Sequence, residues 1–181
     1  MVFLLNSSSS EVALAEYFKI VLLGSSGVGK TSIIRWILDL DPLDEYLPTI
    51  GMRIHNVDTI FNEKQFFLQF CDVSGHEIYS DLISSLLKAA NVVVLVFDYK
   101  NTDSQLHVKS LYSSVCENIS HTQVLLIGNK AEDEKKDIPK TLESWVKQYN
   151  LTLYPVSVRK NLGKSIILQN ITQIIAKISS E

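Results

Sequence analysis

Short apolar runs recur along the chain, separated by polar stretches with helical spacing. The runs at 17–23, 52–60, 65–71, 91–97, 122–127 and 151–156 have strand length and β-rich composition, which predicts six strands. Asn91-Val-Val-Val-Leu-Val-Phe97 is almost wholly apolar, as a central strand covered on both faces requires. Between most of these runs lie helical patterns, over 30–38, 77–89, 104–119, 139–149 and 163–178. In the last of them Ile167, Ile171, Ile174, Ile175 and Ile178 recur at three- and four-residue steps and line one face. Strands and helices alternate, so the fold class is α/β: a six-stranded, mostly parallel sheet with helices on both faces. The runs 52–60 and 65–71 are the exception. Only Phe61-Asn-Glu-Lys64 joins them, which predicts an antiparallel hairpin and hence one antiparallel edge strand. No repeat and no linker divides the chain. Residues 16–181 read as a single domain, preceded by a mobile extension over 1–15 that centres on Asn6-Ser-Ser-Ser-Ser10.

Composition narrows the partners. The chain has 181 residues, 46% of them apolar, enough for one full core. A net charge of −3 without a basic run argues against nucleic acid. Cys71 and Cys116 are too few for a disulfide framework or a zinc site and read as reduced, buried thiols, which places the protein in the cytoplasm. No run reaches the 18 or so apolar residues needed to span a bilayer. Met1-Val-Phe-Leu-Leu5 lacks the basic start of a signal peptide, Val2 excludes myristoylation, and Ile178-Ser-Ser-Glu181 has no prenylatable cysteine. No direct lipid anchor is expected in this chain, and membrane recruitment would come through partners.

The chemistry enters at the end of the first strand. Tyr17-Phe-Lys-Ile-Val-Leu-Leu23 runs into Gly24-Ser-Ser-Gly-Val-Gly-Lys-Thr31, which satisfies the G-x-x-x-x-G-K-[ST] spacing in its strand-to-helix setting. Glycines let successive N–H groups curl into an anion nest, and the following helix adds its positive N-terminus. Lys30 can reach β- and γ-phosphates, and the Thr31 hydroxyl can ligate Mg2+. This loop predicts a nucleoside polyphosphate ligand, but by itself it does not separate GTPases from ATPases or small-molecule kinases.

Four further segments do. Thr49 lies eighteen positions after Thr31 in the turn-rich stretch 41–51. Asp72-Val-Ser-Gly-His-Glu77 follows a strand and carries a glycine three residues after its aspartate. Gly128-Asn-Lys130 and Ser157-Val-Arg159 end the fifth and sixth strands. Ligands of open α/β sheets sit at strand carboxyl ends, so these segments should converge beside the phosphate loop.

With these residues the chain resembles the Ras superfamily of small GTPases, and within it the Rab-like branch, over about residues 17 to 178. Thr49-Ile-Gly51 is similar to the Rab switch I sequence, and Ser26 is the loop residue that Rabs usually carry. The resemblance implies a P-loop NTPase fold of the small G domain type, with GTP or GDP and Mg2+ as cofactors. It implies that Lys30 and the backbone of Ser26, Gly27, Val28, Gly29, Thr31 and Ser32 hold the phosphates. Thr31 and Thr49 would ligate Mg2+, with Asp72 binding it through water, and the Gly75 N–H would touch the γ-phosphate. Asn129 and Lys130 would flank the guanine, and Ser157, Val158 and Arg159 would close over its O6. His76, Lys30 and Thr49 would carry hydrolysis. Effectors or complex subunits would bind the switch regions, with exchange factors and activating proteins as further partners.

Three positions depart from the pattern. His76 stands where most members carry the glutamine that orients the attacking water, and imidazole offers its donor and acceptor in a different geometry, which predicts slow hydrolysis. Glu132 replaces the guanine-reading aspartate and adds a methylene, while Asp133 could substitute only with a change of loop register. Pro42 occupies the place of an aromatic that packs across the guanine. Together Glu132 and Pro42 predict a weakened guanine site. Cys71, where Rabs carry tryptophan, reads as a packing residue, as do Trp36 and Trp145. Two functions follow: a slow GTPase acting as a switch in membrane or ciliary transport, or a non-cycling, nucleotide-bound structural subunit of a transport complex. Asp72 to Asp81 and Gly51-Met52 resemble the Rab-like GTPases of intraflagellar transport. A kinase or ATPase reading is disfavoured by the Asn129-Lys130 pair.

Overall fold

The computed structural model describes residues 15–42, 47–61, 63–75, 80–118, 123–131 and 137–180. The elements are β1 (Glu16–Leu23), α1 (Lys30–Ile37), β2 (Met52–Phe61), β3 (Lys64–Val73), α2 (Ser80–Leu87), β4 (Val92–Asp98), α3 (Thr102–Asn118), β5 (Gln123–Asn129), α4 (Lys140–Gln148), β6 (Leu153–Pro155) and α5 (Lys164–Ile178). The six strands form one sheet in the order β2-β3-β1-β4-β5-β6. All neighbours are parallel except β2 and β3, which pair antiparallel from Met52↔Val73 to Phe61↔Lys64. This is the six-stranded, mostly parallel α/β sheet that the sequence pattern predicts, and it has the small G domain architecture that the resemblance implies.

Alternation along the strands sorts the core into two layers. Phe18, Ile20 and Leu22 of β1, with Phe66 and Phe70 of β3, pack beneath α1 and α5, where Ile33, Ile37, Ile167, Ile171 and Ile175 meet them. Val21 and Leu23 point the other way with Cys71, Val93, Leu95 and Phe97, and are covered by α2, α3 and α4 through Leu87, Val108, Val115, Leu142 and Trp145. All seven residues of β4 are buried, as a strand with helices on both sides demands.

Several boundaries differ from the sequence reading. The hairpin closes more tightly: β2 and β3 pair through Phe61↔Lys64, and the turn places Glu63 at φ 63°. Helix α3 starts two residues earlier than the apolar spacing suggests. Its first turn is polar, and the Asn101 side chain accepts a hydrogen bond from the Ser104 N–H at 3.0 Å, a capping signal that hydrophobic periodicity does not carry. Strand β6 is only three residues long; Leu151 instead bonds back to α4, its N–H reaching the Val146 carbonyl at 3.0 Å. Cys71 is buried as expected, but Cys116 is exposed, because it falls one position off the face of α3 that buries Val108 and Val115. The N-terminal extension and residues 77–79 of the expected second helix lie outside the described residues. Among those residues, no helix is long and apolar enough to cross a membrane.

Successive connections leave β1 toward one edge of the sheet and β4 toward the other. The crevice at their carboxyl ends is where an open α/β sheet binds ligands.

Candidate functional site

A cavity of about 570 Å³ opens at that crevice. Of the residues expected to bind nucleotide, Ser26, Gly27, Gly29, Lys30, Thr31, Ser32, Thr49, Gly75, Asn129, Lys130, Ser157, Val158 and Arg159 line it. Val28 is buried beneath the loop and contributes its carbonyl to the site's scaffold. His76 and Glu132 lie outside the described residues.

The loop between β1 and α1 is shaped by close approach. Gly29 caps α1 with φ 98°, and a Cβ there would lie 2.3 Å from Asn129 Nδ2. Three contacts hold the loop: Asn129 Nδ2 donates to the Val28 carbonyl at 2.9 Å, Lys130 Nζ donates to the Gly27 carbonyl at 2.9 Å, and Ser25 Oγ lies 2.8 Å from His107 Nδ1 on α3. Lys130 is fixed from behind by Asp98 at the end of β4, 2.7 Å away.

Lys30, the first residue of α1, is only 7% exposed. Its ammonium donates to the Gly24 and Ser25 carbonyls at 2.7 and 2.9 Å. Burial pulls its pKa down to about 8, with Asp72 partly opposing the shift. Among the described residues its hydrogen-bond partners are backbone carbonyls, which leaves the buried cation under-compensated, and an incoming polyphosphate would supply negative charge.

Beside it three oxygen-bearing side chains converge. The Thr31 hydroxyl donates to Asp72 Oδ2 at 2.6 Å, the Thr49 hydroxyl reaches the same oxygen at 3.2 Å, and the two hydroxyls are 3.2 Å apart. Asp72 is fully buried at the end of β3, and its Oδ1 makes no hydrogen bond among the described residues. Two hydroxyls and a carboxylate form a hard-oxygen donor set of the kind Mg2+ selects, and the orphaned carboxylate oxygen leaves room for the metal's water. The residues present therefore fit the ion. Gly75 closes this end: a Cβ on it would lie 2.3 Å from Ser26 N.

Further lining residues come from the end of β5 and the segment after β6. Asn129 Oδ1 is buried and without a partner among the described residues, and Ser157 is buried in a turn closed by its paired backbone bonds to Leu162 at 3.1 and 2.9 Å. Arg159 is exposed at the rim. Pro42 lines the cavity, as do Arg35, Trp36, Leu40 and Leu47, which the sequence reading did not assign to it. Helical spacing held the missing signal: Ile33, Ile34 and Ile37 bury one stripe of α1, and Arg35 and Trp36 fall off that stripe.

The family model of the Ras family matches residues 19–177 of the chain. Among curated proteins, the chain is 30% identical to the Ras-related protein Rab-1D of Dictyostelium discoideum over 149 residues, covering 79% of this chain and 72% of that one. It is 28% identical to the Ras-related protein Rab-15 of Mus musculus over 165 residues, covering 87% and 76% respectively. It is also 32% identical to the EF-hand calcium-binding domain-containing protein 4B of Homo sapiens over 161 residues, 85% of this chain but only 22% of that longer protein.

Proposed function

Because the chain belongs to the Ras family of small GTPases, on its Rab-like side, we propose that it binds GTP and GDP with Mg2+ as a nucleotide-dependent switch in intracellular transport. The observation that carries this reading is the convergence of Thr31, Thr49 and Asp72 beside the buried Lys30. Thr49 comes from the segment before β2 and Asp72 from the end of β3, so the site joins two loops that a γ-phosphate would hold together. Lys30 and the loop N–H groups bind the phosphates, and Asn129 Oδ1 offers a buried acceptor at the base end. Mg2+, held by the Thr31 and Thr49 hydroxyls, would neutralise phosphate charge. Glu132 reads the guanine edge with a side chain one methylene longer than the family's aspartate. The binding unit is residues 16–181, acting in the cytoplasm and reaching membranes or a cilium through partners that contact the switch loops.

His76 makes hydrolysis slow. Its imidazole presents one donor and one acceptor, in a geometry unlike glutamine's, to the attacking water. His76→Gln should therefore raise the single-turnover rate of GTP hydrolysis; an equal or lower rate would remove His76 from this role.

His76 in place of the water-orienting glutamine favours a second reading, a nucleotide-bound structural subunit that does not cycle, since slow hydrolysis would leave the bound GTP in place. One experiment separates the two. The purified protein is denatured and its released nucleotide identified by chromatography, followed by multiple-turnover phosphate release. Bound GDP with sustained turnover supports the switch. Bound GTP without turnover supports the structural subunit, and competition by ATP equal to that by GTP would sink both.

A further inference from the structure

The cavity wall is not polar throughout. Leu40, Pro42, Leu47 and Val158 contribute aliphatic surface there, and Trp36 is the one aromatic residue among the described lining residues. A planar heteroaromatic ligand gains most from a π face, which the aliphatic neighbours lack. Trp36 is also held in place. Its indole N–H donates to Asn161 Oδ1 at 2.6 Å, and Asn161 belongs to the same 157–162 turn that presents Ser157 and Val158 to the cavity. That bond uses the ring edge rather than a face. The half-buried ring packs on the α1–α5 core and borders the cavity as well. Arg35 steadies the facing segment, its Nε donating to the Asp41 carbonyl at 2.7 Å.

We infer that Trp36 is the aromatic surface against which the purine of the bound nucleotide packs, supplied from α1 in place of the side chain that Pro42 lacks. This inference rests on the nucleotide-binding function proposed above. Stacking is blind to the hydrogen-bonding edge of a base, so Trp36 sets the affinity for purine nucleotides in general. Selection of guanine remains with Asn129 and its neighbours.

The test compares GTP with inorganic tripolyphosphate, which has no base, by titration calorimetry on the parent chain and on W36L and W36F. W36L should bind GTP about 10- to 100-fold more weakly, the range expected for loss of one base–aromatic stack, with tripolyphosphate affinity unchanged. W36F retains a π face but loses the Asn161 tether and should fall between the two. In a W145F background, where Trp36 is the remaining tryptophan, GTP should quench its fluorescence and tripolyphosphate should not. Equal losses for GTP and tripolyphosphate in W36L would show a structural role and overturn the inference. So would undiminished GTP binding, and both results leave the proposed function standing. A parent chain that binds tripolyphosphate but gains nothing from the guanosine would overturn the inference and the proposed function together.

Discussion

At the scale of single residues, the site is built from groups that burial has left under-satisfied. Lys30 is the clearest: a buried ammonium with its pKa drawn down to about 8 destabilises the ligand-free fold. Lys30→Met should leave the melting temperature of the ligand-free protein no lower than the parent's, while weakening tripolyphosphate binding about 10- to 100-fold, as loss of a charged hydrogen bond does. Calorimetry reads both. Asp72 is the complementary case, with one oxygen shared by two threonines and the other without a partner among the described residues. In Asp72→Asn, Mg2+ should no longer tighten GTP binding, whereas affinity measured in EDTA should stay near the parent's. Lys30 was legible from motif spacing, since phosphate calls for a cation there, whereas a metal role for Asp72 was implied by the family resemblance. Trp36 was not legible, because nothing in a local motif announces a side chain that reaches the site from a helix flank.

At the scale of elements, the phosphate loop is held by its surroundings as much as by its own glycines. The Ser25–His107 contact ties it to α3 across 82 positions of sequence. His107→Ala should lower stability by about 0.5–1.5 kcal/mol in urea unfolding and speed nucleotide release in a chase experiment. Gly75 presses the end of β3 against the loop, and a methyl group there would meet backbone atoms of Ser25 and Ser26 at 2.5 and 2.3 Å. Gly75→Ala must separate the two segments, so the preference for GTP over GDP should disappear when their dissociation constants are compared. The strands themselves were readable because β4 is apolar throughout and β2 and β3 are joined by so few residues. Their ends were less so. The start of α3 depends on a side-chain cap at Asn101, and the brevity of β6 reflects Leu151 bonding to α4, neither of which appears as periodicity.

At the scale of the whole molecule, the strand order places the ends of β1, β3, β4 and β5 at one crevice, and that convergence was foreseeable from the α/β pattern. What the pattern could not show is how far apart in sequence the touching groups are. Asn129 meets Val28 across 101 positions, Lys130 meets Gly27 across 103, and Trp36 meets Asn161 across 125. The phosphate loop is thus synthesised about a hundred positions ahead of the groups from β5 that brace it. A nascent chain that has emerged only through β4 holds the complete motif but none of the braces from β5 and β6. Nucleotide capture on the ribosome should therefore wait until residues 123–161 have emerged, and occupancy of the site would report that β5 and the turn after β6 have docked.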